Sequence, residues 1–245
     1  MDAAVPAVLV LWDVDHTLIE NAGVSKETYA GAFEILAGYP AEHRAETDGR
    51  TDLEIMTNLL SRHGIEAAPS HLARLPEALE ASLTSRRQRL RERGHALPGA
   101  SEAITSLGRV PGVIQSVLTG NIQPNAFVKV EAFDLHHGLD FEIGGYGSDD
   151  IVRANLVEVA RKRARAKYQV ELLSSTTILI GDTVRDIQAA LNGGAVAIGV
   201  ATGPNTVEEL LAEGAETALH DLTDADALVR AVTAVQARAT AAERL

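Results

Sequence analysis

The run Val8-Leu9-Val10-Leu11-Trp12 is apolar at every position and stops abruptly at Asp13-Val14-Asp15-His16-Thr17. A short segment that is apolar on both alternating faces reads as a strand covered on both sides, as in the middle of a parallel sheet. Side chains at i and i+2 of a strand share a face, so Asp13 and Asp15 both project beyond its carboxyl end. Two carboxylates held there repel each other unless a cation sits between them. Taken alone, the pair reads first as an acidic strand-to-turn junction, since aspartate is common in turns, so the rest of the chain must decide.

The chain of 245 residues, 46% of them apolar, is long enough for one large domain or a core domain with a smaller insert. A formal charge of −12 argues against a general nucleic-acid or membrane-surface binder. The chain has no cysteine, which excludes disulfides, thiolate chemistry and cysteine-ligated metal sites. The apolar run from Val5 to Trp12 is too short for a signal-peptide core or a membrane span, so the expected location is cytoplasmic.

Residues 21–97 show helical periodicity over Lys26–Leu36, Leu53–His63 and Leu72–Arg93, with Ser25 and Thr51 as expected caps and Gly38 and Gly64 as stops. Leu97-Pro98-Gly99 marks the return to a different pattern. From Gly99 onward, helices and strands alternate. Helices are expected at Ala100–Leu107, Asn125–Phe133, Ile151–Tyr168, Arg185–Leu191, Thr206–Ala212 and Asp224–Val235. Strands are expected at Val113–Leu118, Phe141–Ile143, Thr176–Ile180 and Ala195–Val200, with an edge strand near Thr217–Leu219. The expected fold is α/β: a doubly wound, Rossmann-like parallel sheet formed by residues 1–20 and 98–245, with a helical cap of residues 21–97 inserted after the first strand. The arginine-rich run Arg86–Arg93 reads as a solvated helix face and is assigned no function.

In such sheets a ligand sits beyond the carboxyl ends of the strands. Three further groups fall there. Thr119-Gly120-Asn121 offers a hydroxyl, a glycine N–H that can approach a ligand closely, and an amide. Asp182 and Asp186, at i and i+4, add two carboxylates on one face of a helix start, and Arg153 lies near another. Within the cap, Arg50 follows Gly49 at the start of a helix, a position suited to holding an anionic substrate. The carboxylates suit Mg²⁺ better than zinc. With Mg²⁺ bound, Asp13 could attack phosphorus and Asp15 could serve as acid and base, while Thr119, the Gly120 N–H and Arg153 offset charge on the phosphoryl oxygens.

Asp13-Val14-Asp15-His16-Thr17, Thr119, Arg153 and Gly181-Asp182 through Asp186 fall in the order of the four motifs of the haloacid dehalogenase superfamily. The chain resembles the phosphoglycolate phosphatase-like branch, which carries a helical cap. That resemblance implies a Mg²⁺-dependent phosphatase acting on a small phosphorylated metabolite through an aspartyl phosphate. It implies metal ligation by the Asp13 carboxylate, the Asp15 carbonyl and Asp182, with Asp186 a ligand or one layer out. Gly120, Asn121 and Arg50 are the expected substrate contacts. His16 stands where the family commonly has glycine, so it either reshapes the loop or lends an imidazole to the substrate side; shape is the favoured account. Arg161, Lys162 and Arg163 compete with Arg153 for the third motif.

The alternatives are a phosphomutase of the same family and a non-catalytic phosphate sensor. A dehalogenase is disfavoured by the full acidic set, and a phosphonate-cleaving relative would need a cap lysine, where only Lys26 is available. Neither a P-loop nor a dinucleotide-binding glycine motif is present. The oligomeric state has no signature in the sequence.

Overall fold

The structure, a computed structural model, describes residues 7–47 and 49–242. Asp48, beside the Gly49-Arg50 pair, lies outside them. The chain opens with β1 (Val8–Trp12), β2 (Ile19–Glu20), α1 (Val24–Ala37), α2 (Asp52–Arg62), α3 (Pro69–Thr84), α4 (Arg87–Arg93) and β3 (His95–Ala96). It continues with α5 (Ala100–Gly108), β4 (Val113–Thr119), α6 (Gln123–Glu131), β5 (Gly145–Tyr146) and α7 (Asn155–Tyr168). It ends with β6 (Thr177–Gly181), α8 (Val184–Asn192), β7 (Val196–Val200), α9 (Val207–Ala212), β8 (Thr217–Leu219) and α10 (Ala225–Ala242).

Six strands form a sheet in the order β5-β4-β1-β6-β7-β8, and every pairing is parallel. The first strand lies inside it, with Leu9 opposite Ile114 on one side and Thr177 on the other. All five β1 residues are buried, as their unbroken apolar run requires. Alternate residues enter two cores: Val8, Val10 and Trp12 pack with α5, α6 and α10, and Leu9 and Leu11 pack with α7 and α8. The Trp12 indole is satisfied, donating to Gln115 Oε1 at 3.1 Å, while Gln115 donates to the Ile104 carbonyl at 2.9 Å.

The helices α1 to α3 share a separate apolar cluster built on Phe33, Met56, Leu59, Leu60 and Leu79. The insert is tied back through β2 and β3, which pair antiparallel where the chain leaves and re-enters the sheet layer. Thr51 caps α2, its hydroxyl accepting from the Glu54 N–H.

Four local expectations need correction. Ser25 lies inside α1; Asn21 fills the turn instead, its side-chain oxygen accepting from the N–H groups of Gly23 and Ser25. The expected helix Leu72–Arg93 is two helices parted at Ser85-Arg86. The turn lets Arg89 and Arg93 reach Glu27 on α1, and Arg87 and Arg91 reach Glu131 on α6. Residues 141–143 form a turn, and the edge strand is Gly145–Tyr146. Helix α7 begins at Asn155, because Asp150 accepts from the Val152 N–H and the Asn155 amide and holds residues 151–154 in turns.

Leu11 is fully buried between strands and helices. Leu11→Ala should therefore lower the unfolding free energy by about 2–5 kcal/mol in urea titrations, with little change in slope; a loss below about 1 kcal/mol would contradict this packing.

Candidate active site

The carboxyl ends of β1, β4 and β6 meet in one partly enclosed cavity, and the insert closes its far side. Its lining includes Asp13, Asp15, His16, Arg50, Thr119, Gly120, Asn121, Arg153 and Asp182, together with Asn21, Ser25 and Tyr29 from the insert. Asp13 follows β1, its N–H donating to the Ile180 carbonyl at 2.9 Å, which fixes it beside β6. Asp186 belongs to the reciprocal cap of α8: Thr183 accepts from the Asp186 N–H, and the Asp186 carboxylate accepts from the Thr183 N–H and hydroxyl.

Arg153 is the centre of the charge arrangement. One of its nitrogens donates to Asp13 Oδ1 at 2.7 Å and to Asp186 Oδ1 at 2.6 Å. Of the residues that compete with Arg153, Arg161 is engaged with Glu158, Thr177 and the Gly193 and Gly194 carbonyls, Arg163 with Asp149 and the Gly144 carbonyl, and Lys162 is exposed and lines no part of the cavity. The turn held by Asp150 is therefore what aims Arg153 at the carboxylates.

Asp13, Asp182 and Asp186 each offer an oxygen within 4.8 Å of the others'. Asp182 accepts from the Thr17 hydroxyl at 2.9 Å through Oδ1, while its Oδ2 is buried with no hydrogen-bond partner. An orphaned carboxylate oxygen among two other carboxylates is costly without a cation. Adding Asp15 makes four carboxylates against Arg153 and Lys129, a formal balance of −2 that a divalent ion would cancel. The donor set, all oxygen, fits a hard ion such as Mg²⁺. Burial pushes the Asp13 carboxyl up to about 7, with Arg153 opposing and Asp186 and Asp15 adding to the rise. Burial, with Asp186 and Asp13 adding to it and the Thr17 hydroxyl opposing, raises Asp182 as well.

A family model for haloacid dehalogenase-like hydrolases matches residues 10–191. The chain belongs to the haloacid dehalogenase-like hydrolases. Among solved structures it is similar to CbbY from Rhodobacter sphaeroides in complex with phosphate, at 18% identity and a TM-score of 0.65 over 89% of this chain and 96% of that one. A predicted phosphatase from Clostridium acetobutylicum gives 17% identity and a TM-score of 0.63 over 92% and 99%. A hydrolase from Pseudomonas syringae gives 20% identity and a TM-score of 0.62 over 89% and 95%. At these identities the likeness shows the fold. No curated protein sequence matches the chain. Among the described residues no helix is long and apolar enough to cross a membrane.

The remaining candidates of this hydrolase take varied positions. Thr119 is buried, its hydroxyl accepting from the Asn121 side chain at 2.8 Å. Gly120 lies under the insert so closely that a Cβ would overlap the Arg50 carbonyl oxygen. Arg50 lines the cavity, but its guanidinium is held by Glu46 and Glu54 at 3.0 Å each. His16 has φ 64°, the left-handed conformation that glycine adopts freely, and its ring pairs with Glu20 at 2.9 Å. It thus keeps a glycine-like backbone while placing an imidazole at the cavity wall.

Several residues went unflagged in the sequence. The Asp52 N–H donates to the Gly120 carbonyl at 2.7 Å, and its carboxylate accepts from the Tyr29 hydroxyl at 2.6 Å and the Ile122 N–H at 2.8 Å. Burial pushes Asp52 up to about 6, although Tyr29 bonds its charged form. Lys129 donates to Asp15 at 2.7 Å; burial works to raise Asp15, but Lys129 outweighs it with help from Asn121 and holds the carboxyl down near 2. Lys129 had one available signal: it shares the helix face of Ala126 and Val130 and is the lone charge on it.

Raised carboxyl values bind protons more tightly in the folded chain than in the unfolded one. The stability tied to Asp13 and Asp52 is therefore present below the ordinary value of 3.8 and is lost as pH rises through about 6 to 7. Melting in EDTA should move to lower temperature between about pH 5 and about pH 8, and Mg²⁺ should restore more at the higher pH; a flat profile would contradict this electrostatic account.

Proposed function

We propose that the chain is a Mg²⁺-dependent phosphatase that hydrolyses a small phosphate monoester through an aspartyl phosphate on Asp13. One observation carries the reading most directly: the Asp13, Asp182 and Asp186 carboxylates converge with a buried, unpartnered oxygen on Asp182, while Asp15 shares the same cavity. Asp13, Asp182, the Asp15 carbonyl and, directly or one layer out, Asp186 would hold the ion. When bound, it supplies positive charge that draws in the phosphoryl oxygens and keeps Asp13 ionised.

An Asp13 oxygen attacks phosphorus as the bond from phosphorus to the ester oxygen breaks. Asp15, ionised in the free chain, takes up a proton as the negative phosphoryl group enters beside it and delivers that proton to the departing oxygen. Water then attacks the phosphorus of the phospho-Asp13, returning a proton to Asp15, and the Asp13–phosphorus bond breaks to release inorganic phosphate. Thr119, the Gly120 N–H and Arg153 hold the phosphoryl oxygens, with Asn121 beside them. Residues 21–97 act as a cap that excludes water, fastened by the Asp52 bonds to Gly120 and Ile122 and by the Thr51 hydroxyl on the Ile151 carbonyl.

Substrate choice falls to the cap side of the cavity. Arg50 favours a substrate with an anionic tail, phosphoglycolate being the model, and reaches it by exchanging Glu46, the more exposed of its two partners. His16, from the core side of the cavity wall, is a further contact.

Phosphate release from phosphoglycolate, glycerol phosphates, hexose phosphates and p-nitrophenyl phosphate, with Mg²⁺ and with excess EDTA, tests this reading. Turnover should need the metal and fall at least about a thousandfold in Asp13→Asn. Arg50→Ala should lower kcat/KM for phosphoglycolate about tenfold or more, and for p-nitrophenyl phosphate less than about threefold. Equal effects would remove Arg50 from recognition. Transfer between sugar phosphates without phosphate release would favour a mutase, and binding without either reaction a phosphate sensor.

A further inference from the structure

Lys129 is the most buried basic residue among those described, 2% exposed, and it stands behind the cavity wall on a helix that contributes no lining residue. An ammonium in such a place carries a large desolvation cost, and a methionine of similar length would fill the same volume without it. Lys129 therefore has to be understood through what its charge touches.

Its Nζ donates to Asp15 Oδ2 at 2.7 Å and to Asn121 Oδ1 at 2.6 Å. An ammonium only donates, so Asn121 must present its carbonyl oxygen to Lys129 and turn its NH₂ the other way. That NH₂ donates to Asp15 Oδ2 and to the Thr119 hydroxyl, each at 2.8 Å. A single cation thus sets the orientation of the Asn121 amide and, through it and directly, the position of Asp15. On the opposite side, Asn21 and Ser25 donate to Asp15 Oδ1 at 2.8 and 3.2 Å, so the carboxyl group is gripped on both oxygens.

We propose that Lys129 is a positioning residue of the reaction: by gripping Asp15 and turning the Asn121 amide, it fixes the Asp15 carboxyl group at the cavity wall where that group exchanges a proton with the ester oxygen. This rests on the phosphatase reading above. A residue that only filled the core would affect all esters alike. A residue that positions the proton donor matters most where the departing oxygen is a poor leaving group, because a dinitrophenolate leaves without help.

The test compares kcat/KM, which reports the bond-breaking step, for 2,4-dinitrophenyl phosphate and for the fastest alkyl ester among phosphoglycolate, glycerol phosphates and hexose phosphates. Lys129→Met should lose about a hundredfold or more on the alkyl ester and less than about fivefold on the dinitrophenyl ester, as Asp15→Asn should. The double variant should be no worse than Asp15→Asn alone, since the two residues act as one unit. If Lys129→Met does not fold, Lys129→Arg, which keeps the charge with a different reach, is held to the same comparison. A loss equal for both esters, or losses that multiply in the double variant, would overturn the inference while leaving the phosphatase reading intact. No turnover of any ester by the unaltered chain would overturn both.

Discussion

Everything at the carboxyl edge of this sheet follows from a crowding of negative charge that the fold imposes. Adjacent parallel strands β1 and β6 end side by side, and each is followed at once by an aspartate, so Asp13 and Asp182 are brought together wherever the sheet forms. Asp186 joins them because the cap of α8 needs an acceptor at that position. Their mutual repulsion is a cost that the apolar faces of the sheet must exceed. Arg153 and Lys129 offset it, one from a turn before α7 and one from within α6, and the Asp182 oxygen left without a partner is where a cation belongs.

The division of labour between the two cations explains the different surroundings of the two aspartates. Arg153 bridges Asp13 to Asp186, and burial still raises Asp13. Lys129 grips Asp15, together with amides and a hydroxyl drawn from both the sheet layer and the insert. Two carboxyl groups two residues apart thereby have environments that push them in opposite directions, Asp13 upward until a cation joins it and Asp15 downward until a negative phosphoryl group arrives beside it.

What could be read from the sequence was what is local. The apolar run of β1, the i and i+2 aspartates after it, Thr119 at the end of β4 and the Gly181-Asp182…Asp186 helix start all carry their signal within a few residues, and the alternation of helices and strands fixes which sheet edge they share. Lys129 was missed because a helix pattern treats one charge on an apolar face as a blemish, and only the fold brings Asp15 to meet it, 114 residues away in sequence. The break at Ser85-Arg86 was likewise invisible, since it is set by arginines reaching glutamates on α1 and α6. Arg50 was legible as a cavity residue, but its two glutamate partners were not.

The central claim is that Asp13 receives the phosphoryl group, and trapping that species tests it most directly. The chain is mixed with a hydrolysed ester and Mg²⁺, quenched in acid within a single turnover, and its peptides are weighed. The account predicts one phosphoryl group on the peptide bearing Asp13, gained as fast as alcohol is released and absent from Asp13→Asn. Alcohol release with no phosphorylated peptide, or a phosphoryl group on any other residue, would contradict it.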